Sequence, residues 1–161
     1  MGFVVLVFSC SSKKAVAETM QPLSLSAQVG SWKTVPPKRY VSVITTLTNN
    51  TSDTLRFIIM SCSWQDAYAV DTKELSIYPV NCDKNIPELL AIPPHGQEQR
   101  ALVLETEKSV EELQKVKFRV GFNGLTAKGP AEVFEKVDQL RDMRNVVWSA
   151  PISLSNYVGV P

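Results

Sequence analysis

Lys115-Val116-Lys117-Phe118-Arg119-Val120-Gly121-Phe122 carries Val116, Phe118, Val120 and Phe122 on one side and Lys117 and Arg119 on the other. Successive side chains of an extended chain point to opposite faces, so this alternation predicts a strand with one face buried. The same pattern recurs upstream. Leu23, Leu25 and Ala27 alternate with Ser24, Ser26 and Gln28, and Tyr40, Val41, Val43, Ile44 and Leu47 mark a stronger strand. That strand stops at Asn49-Asn50-Thr51-Ser52-Asp53, whose side chains close turns by bonding to nearby backbone. A third begins at Thr54, and Leu55, Phe57, Ile58, Ile59 and Met60 make both its faces apolar, as a central strand requires.

Further along, residues 86–92 read as a short strand interrupted by Pro87, and Pro93-Pro94-His95-Gly96 as a turn in which Gly96 is free to take positive φ. Ala101, Leu102, Val103 and Leu104 make the next strand. Ser109-Val110-Glu111-Glu112 has capping-box spacing and predicts one or two helical turns through Leu113. Residues 130–144 break the β pattern. Val133, Val137 and Leu140, with Phe134 beside them, lie at helical spacing, and Glu132 and Lys136 form an i,i+4 pair. Residues 146–154 supply a last strand, which Pro151 limits to an edge or a bulge.

The cysteines permit a sharper inference. Asp71-Thr72-Lys73 is a polar break between two β-rich runs. With Thr72 as the tip of a hairpin, residues equidistant from it face each other: Cys62 against Cys82, Trp64 against Val80, Asp66 against Tyr78. Facing residues in an antiparallel pair lie roughly 4.5–5.5 Å apart at Cα, within the reach of a disulfide. A Cys62–Cys82 bridge is therefore expected; the alternative is a pair of buried free thiols. Trp64, Tyr68 and Tyr78 on this hairpin are a candidate binding surface, against the alternative that Trp64 packs in the core. Trp32 and Tyr40 flank a second candidate recognition loop, Pro36-Pro37-Lys38-Arg39.

Composition narrows the function. Lys and Arg number 17 and Asp and Glu 16 among 161 residues, a net charge of +1. Nucleic-acid binding needs a basic face to neutralise phosphates, and this balance argues against it. Catalytic chemistry is sparse. His95 is the one histidine and sits in a proline-glycine turn, with no Gly-x-Ser-x-Gly elbow to accompany it. Cys62, Cys82 and His95 are too few for zinc if the cysteines pair, and Met60, a conceivable copper ligand, belongs to an apolar strand. Glu105, Glu107, Glu111 and Glu112 read as a solvated face. No catalytic residues, metal or cofactor are assigned.

At the N-terminus, Phe3-Val4-Val5-Leu6-Val7-Phe8 is too short to span a membrane but has the length of a signal-peptide core. With Ser9-Cys10 after it, the segment resembles a bacterial lipoprotein signal, in which the cysteine becomes diacylated. Phe8, where a smaller residue is usual, and the absence of Lys or Arg before the core depart from that pattern. The alternative is a frayed apolar end with an unmodified thiol. The segments 40–53, 54–64, 93–105 and 115–122 together resemble the immunoglobulin-like β-sandwich of bacterial envelope proteins and, more loosely, proteinase-inhibitor-like sandwich domains. These resemblances imply a signal-like segment at 1–9, a linker at 10–22, one mainly β sandwich domain with an inserted helix at 23–155, and a tail at 156–161. They also imply an exported, non-enzymatic binding or structural module, lipid-anchored through Cys10 in the bacterial cell envelope. Its partner would be an unidentified protein, peptide or glycan. The competing expectation is an inhibitor acting through an exposed loop, Asp83-Lys84-Asn85, with Lys84 as the basic contact.

Overall fold

The computed structural model describes residues 21–155; the signal-like segment, Cys10 and the tail lie outside the described residues. Along the chain run β1 (Leu23–Val35), β2 (Lys38–Asn49), β3 (Leu55–Met60), β4 (Tyr68–Val70), β5 (Ser76–Ile77) and β6 (Pro87–Ile92). They are followed by β7 (Gln97–Thr106), α1 (Val110–Leu113), β8 (Lys117–Phe118) and β9 (Val120–Asn123). The last elements are α2 (Pro130–Lys136), β10 (Val146–Trp148) and β11 (Ile152–Ser153). The chain is mainly β, its paired strands are antiparallel, and a helix lies near the C-terminus, as the alternation implied.

One sheet has the order β1-β2-β7-β5. The β1–β2 hairpin turns at Val35-Pro36-Pro37-Lys38, where the Pro36–Pro37 bond is cis, and a register shift separates Val29 from Trp32. Strand β2 has partners along both edges, and its Val41, Val43, Thr45, Leu47 and Asn49 point inward and are fully buried. A second set of strands faces this sheet in sandwich-like fashion. There β3 pairs with β6 on one side and with residues 125–127 on the other, where Ile58 N donates to Leu125 O at 2.8 Å. Those residues continue β8 and β9, which pair with β4, β10 and β11. Within this second layer Phe57 of β3 meets Phe122 of β9 edge-on at 5.4 Å, an arrangement that the aromatic quadrupole favours. The central placement of β3 and the inward face of Phe118, Val120 and Phe122 agree with the sequence reading.

Several expectations are corrected. The hairpin tipped at Thr72 does not form. Residues 64–67 make a 3-10 turn, β4 pairs with β9, and β5 pairs with β7, so Trp64 does not face Val80 nor Asp66 face Tyr78. Asp71 lies instead at the end of β4, where its carboxylate accepts from Arg119 Nε at 2.7 Å and from the Arg119 backbone N–H. Burial alone would raise its pKa, but these bonds outweigh it and hold the group below the usual carboxylate value. In the 93–96 turn, positive φ falls on His95, at 55°, rather than on Gly96. Glycine is needed there for space, since a Cβ would sit 2.7 Å from Pro93 Cγ and 3.0 Å from Pro93 O.

The helix over 130–144 is also shorter than its periodicity implies. It is α-helical only over Pro130–Lys136 and tightens to 3-10 turns over Val137–Asp142. Val133 and Leu140 are buried, yet Phe134 is 66% exposed, because one face of so short a helix covers little area. The Glu132–Lys136 pair forms at 2.5 Å. The last strand is split between β10 and β11 by Ser149, Ala150 and Pro151. The capping box forms in full: Glu112 N donates to Ser109 Oγ at 3.3 Å, and Ser109 N to the Glu112 carboxylate at 2.8 Å.

Asn49 ties two turns together. Its fully buried amide donates to Asp53 O, Ile92 O and Pro93 O at 2.7–3.0 Å, and its Oδ1 accepts from Thr51 N and Oγ1. Removing the side chain breaks its bonds to Ile92 O and Thr51 N as well as those to Asp53 O and Pro93 O, which keep Thr51 Oγ1 and Gly96 N as donors; each such bond is worth roughly 0.5–1.5 kcal/mol net. Asn49→Ala is therefore expected to lower unfolding free energy by about 3 kcal/mol in urea titrations. Asn50→Ala, at a partly exposed neighbour bonded to Gln21 O and Ser24 Oγ, should cost under about 1 kcal/mol.

Candidate functional site

The Cys62–Cys82 disulfide is formed, with a Cα–Cα distance of 6.1 Å. Its geometry is not the one that suggested it. Cys62 follows the end of β3 and Cys82 precedes β6, strands that are neighbours in register, with Met60 opposite Pro87. The bridge thus pins the base of an excursion containing the 3-10 turn, β4 and β5. Asn85 braces the same base: its Oδ1 accepts from Cys62 N and Ser63 N at 3.2 Å each, and its Nδ2 donates to Ser63 Oγ at 2.7 Å.

The three aromatic residues expected to form a binding surface are divided. Tyr68 is 6% exposed and packs on Phe122 at 5.1 Å, so it belongs to the core. Burial raises its hydroxyl pKa, and hydrogen bonding with Thr45 acts the other way. Trp64 is half-buried, meets Tyr68 edge-on at 5.8 Å, and carries the Arg100 guanidinium 5.0 Å from its ring centroid. Tyr78 is exposed and meets Tyr40 edge-on at 5.6 Å on the outer face of the first sheet. Tyr40 and Arg39 thereby belong to the β1–β2 hairpin, and only Tyr40 contributes to an aromatic pair.

The outer face of that sheet supplies what the sequence did not display. Val35, Tyr40, Tyr78 and Val103 line a shallow recess of about 390 Å³. Tyr78 and Val103 also border a crevice of about 70 Å³, with Trp64, Gln65, Val80 and Ala101. Val35, Tyr78, Val80 and Val103 are each at least 40% exposed, and Ser31, Lys33 and Ser42 complete the lining of the larger recess. A signal for it existed: Val103 alternates with buried Leu102 and Leu104 and so had to point outward. What the alternation lacked was the neighbour, since Val35 and Tyr78 reach it from distant parts of the chain.

A larger groove of about 530 Å³ lies where β2 begins and β7 ends. Its charges are knitted together by Lys38–Glu105 at 2.8 Å, Lys108–Glu112 at 3.2 Å and Lys108–Glu74 at 3.3 Å. Hydrogen bonding to Glu105 raises the Lys38 pKa, and bonds to Glu112 and Glu74 raise that of Lys108. Glu112 faces solvent as expected, whereas Glu105 is largely buried against Lys38, its side chain only 16% exposed. His95 is exposed in its turn, and among the described residues no group of His, Cys, Asp and Glu could hold a metal ion. No described helix is long and apolar enough to cross a membrane.

The chain matches no protein-family model, and no curated protein or solved structure is significantly similar to it.

The disulfide closes a loop of sequence separation 20, for which chain entropy alone predicts a stabilisation of about 3 kcal/mol. A Cys62→Ala/Cys82→Ala double variant should lose about that much in chemical denaturation, while remaining folded at ambient temperature.

Proposed function

We propose that this chain is an exported, lipid-anchored module of the bacterial cell envelope that binds a partner or braces an assembly and performs no catalysis. The observation that carries the reading is the Cys62–Cys82 bond, because such bonds persist in oxidising compartments and are rare in a reducing cytosol. The Val7-Phe8-Ser9-Cys10 segment adds support through its resemblance to a lipoprotein signal. Several acyl chains on one cysteine would hold the domain at a membrane far more durably than a single myristoyl chain. The apolar outer face around Tyr78 and Val103 is the surface best suited to a protein or peptide partner.

An immunoglobulin-like sandwich is the finer fold in this proposal. The parallel between the order β1-β2-β7-β5 and the A-B-E-D sheet of that fold supports it, with β3, β9 and β10 in this reading standing for C, F and G, although β9 has β4 beside it and β3 meets the chain only beyond β9, at residues 125–127. Strand β6 departs from the pattern by joining the β3 edge only after β5. The disulfide departs too, bracing an excursion from the sandwich instead of joining B to F. Intact-mass measurement on protein extracted from native membranes tests the whole. A lipid mass on the Cys10 fragment and a two-hydrogen gain on reduction are expected; the absence of both removes export and anchoring together.

A second reading, protease inhibition, is favoured by one observation. Asp83 and Lys84 are exposed between Cys82 and Asn85, both of which are tied to the end of β3. Inhibitory loops are held rigid in this way, so that little ordering entropy is lost on binding. Stoichiometric inhibition of a trypsin-like protease, lost in Lys84→Ala, is the outcome this reading requires. Full protease activity at a tenfold excess of the protein, roughly a saturating ratio for a tight inhibitor, would exclude it.

A further inference from the structure

The bridge has a consequence for the neighbouring sheet. Asn49 N donates to Gly96 O at 3.0 Å, and Thr45 and Val43 stand opposite Arg100 and Leu102. Even-numbered residues of β7 therefore turn their backbone groups toward β2. Odd-numbered residues turn theirs the other way, where Tyr78 N donates to Val103 O at 2.8 Å and Ser76 stands opposite Glu105. Had β5 continued, Val80 would face Ala101. The chain instead departs toward Cys82, whose partner Cys62 lies beside β3 in the facing layer. Gln99 and Ala101 are left with N–H and C=O groups at a sheet edge, and among the described residues no strand lies beyond them. Unpaired edges of this kind are templates for a further strand.

The crevice beside that edge has an unusual polar wall. Gln65 is 4% exposed, and neither its Nε2 nor its Oε1 has a partner. A carboxamide presents a donor and an acceptor side by side, the complement of one peptide group. Trp64, Tyr78, Val80 and Leu102 supply apolar walls, and the volume of about 70 Å³ suits one small aliphatic side chain. The crevice lining carries no charged side chain, and Arg100, whose guanidinium lies 5.0 Å from the Trp64 ring centroid, is paired with Glu98 at 3.0 Å, so an uncharged segment fits best. Pro79 follows Tyr78 and so turns its missing N–H away from β7, blunting the outer edge of β5 and leaving the β7 edge as the open one.

We infer that the β7 edge at Gln99 and Ala101 takes up an extended, uncharged peptide segment as an added strand, with one small apolar side chain in the Trp64–Val80 crevice and the Gln65 amide bonded to the peptide backbone. This deepens the binding reading above and rests on it, but not on the membrane location. Such strand addition draws affinity from main-chain bonds and specificity from alternate side-chain pockets.

Two measurements test it. In the free protein, amide hydrogen exchange should be faster at Gln99 and Ala101 than at Arg100 and Leu102; equal protection at all four overturns the inference. A phage-displayed library of random nonapeptides should then yield binders with alternating apolar residues, which slow exchange at Gln99 and Ala101. Ala101→Pro removes an edge N–H without touching the β2 ladder, and Gln65→Leu removes the amide at nearly constant volume. Each should weaken those binders about tenfold, the effect of losing one or two hydrogen bonds, with the circular dichroism spectrum unchanged. No binder, as for a crevice that holds only water, overturns the site. Binders indifferent to both variants also overturn it, while leaving a binding role elsewhere on the domain intact.

Discussion

The covalent bond between Cys62 and Cys82 holds the chain where it leaves β3 against the chain where it approaches β6. Everything between them is an excursion that must start and finish at one place on the facing layer. Within it β5 pairs with β7 only over Ser76 to Tyr78 before the chain turns back toward Cys82. The excursion also sets Trp64 and Gln65 beside the uncovered part of the β7 edge. The crosslink constrains the unfolded chain, and in the folded one it marks the point at which the excursion returns to the facing layer.

The rest of the domain is held by ordinary sandwich physics. Strand β2 has neighbours on both edges and buries alternate side chains, so the apolar driving force and the hydrogen-bond ladder favour the same register. Asn49 closes one end by satisfying three carbonyls from two different turns, a task no apolar residue could perform. Gln65 is the counterexample. It is nearly as buried yet its amide has no partner, as is also true of Asn123 Oδ1 and Arg39 Nε, and a stable fold keeps few such groups. Gln65 itself lines the crevice beside the β7 edge.

Location and partner follow different lines of support. The disulfide speaks to the compartment in which the chain folds, and Cys10 to how it would be retained there. The exposed apolar face and the open edge concern recognition alone. A domain bound to a membrane by its N-terminus keeps its sheet faces and edges available, so the two proposals are compatible and stand or fall separately.

Alternation along 115–122, the apolar run in β3 and the turn chemistry of 49–53 made the mainly β class and most strand positions readable in advance. Side-chain period follows from backbone stereochemistry and depends on nothing distant. The capping box was equally local. Even the correct cysteine pair was accessible, although through a hairpin that does not exist: equidistance from Thr72 happened to coincide with adjacency of β3 and β6. The fates of Tyr68 and Tyr78 were not readable, because both sit in β-compatible stretches and only their partners differ, β9 for one and β7 for the other. That His95 takes the positive φ, while Gly96 is needed for space beside Pro93, was not readable from the proline-glycine signal either. Alternation states which way a side chain points relative to its own strand. Which strand lies alongside is settled by long-range closure of the two layers and the bridge, and that choice alone assigned Tyr68 to the core, Tyr78 to the surface and Ala101 to an open edge.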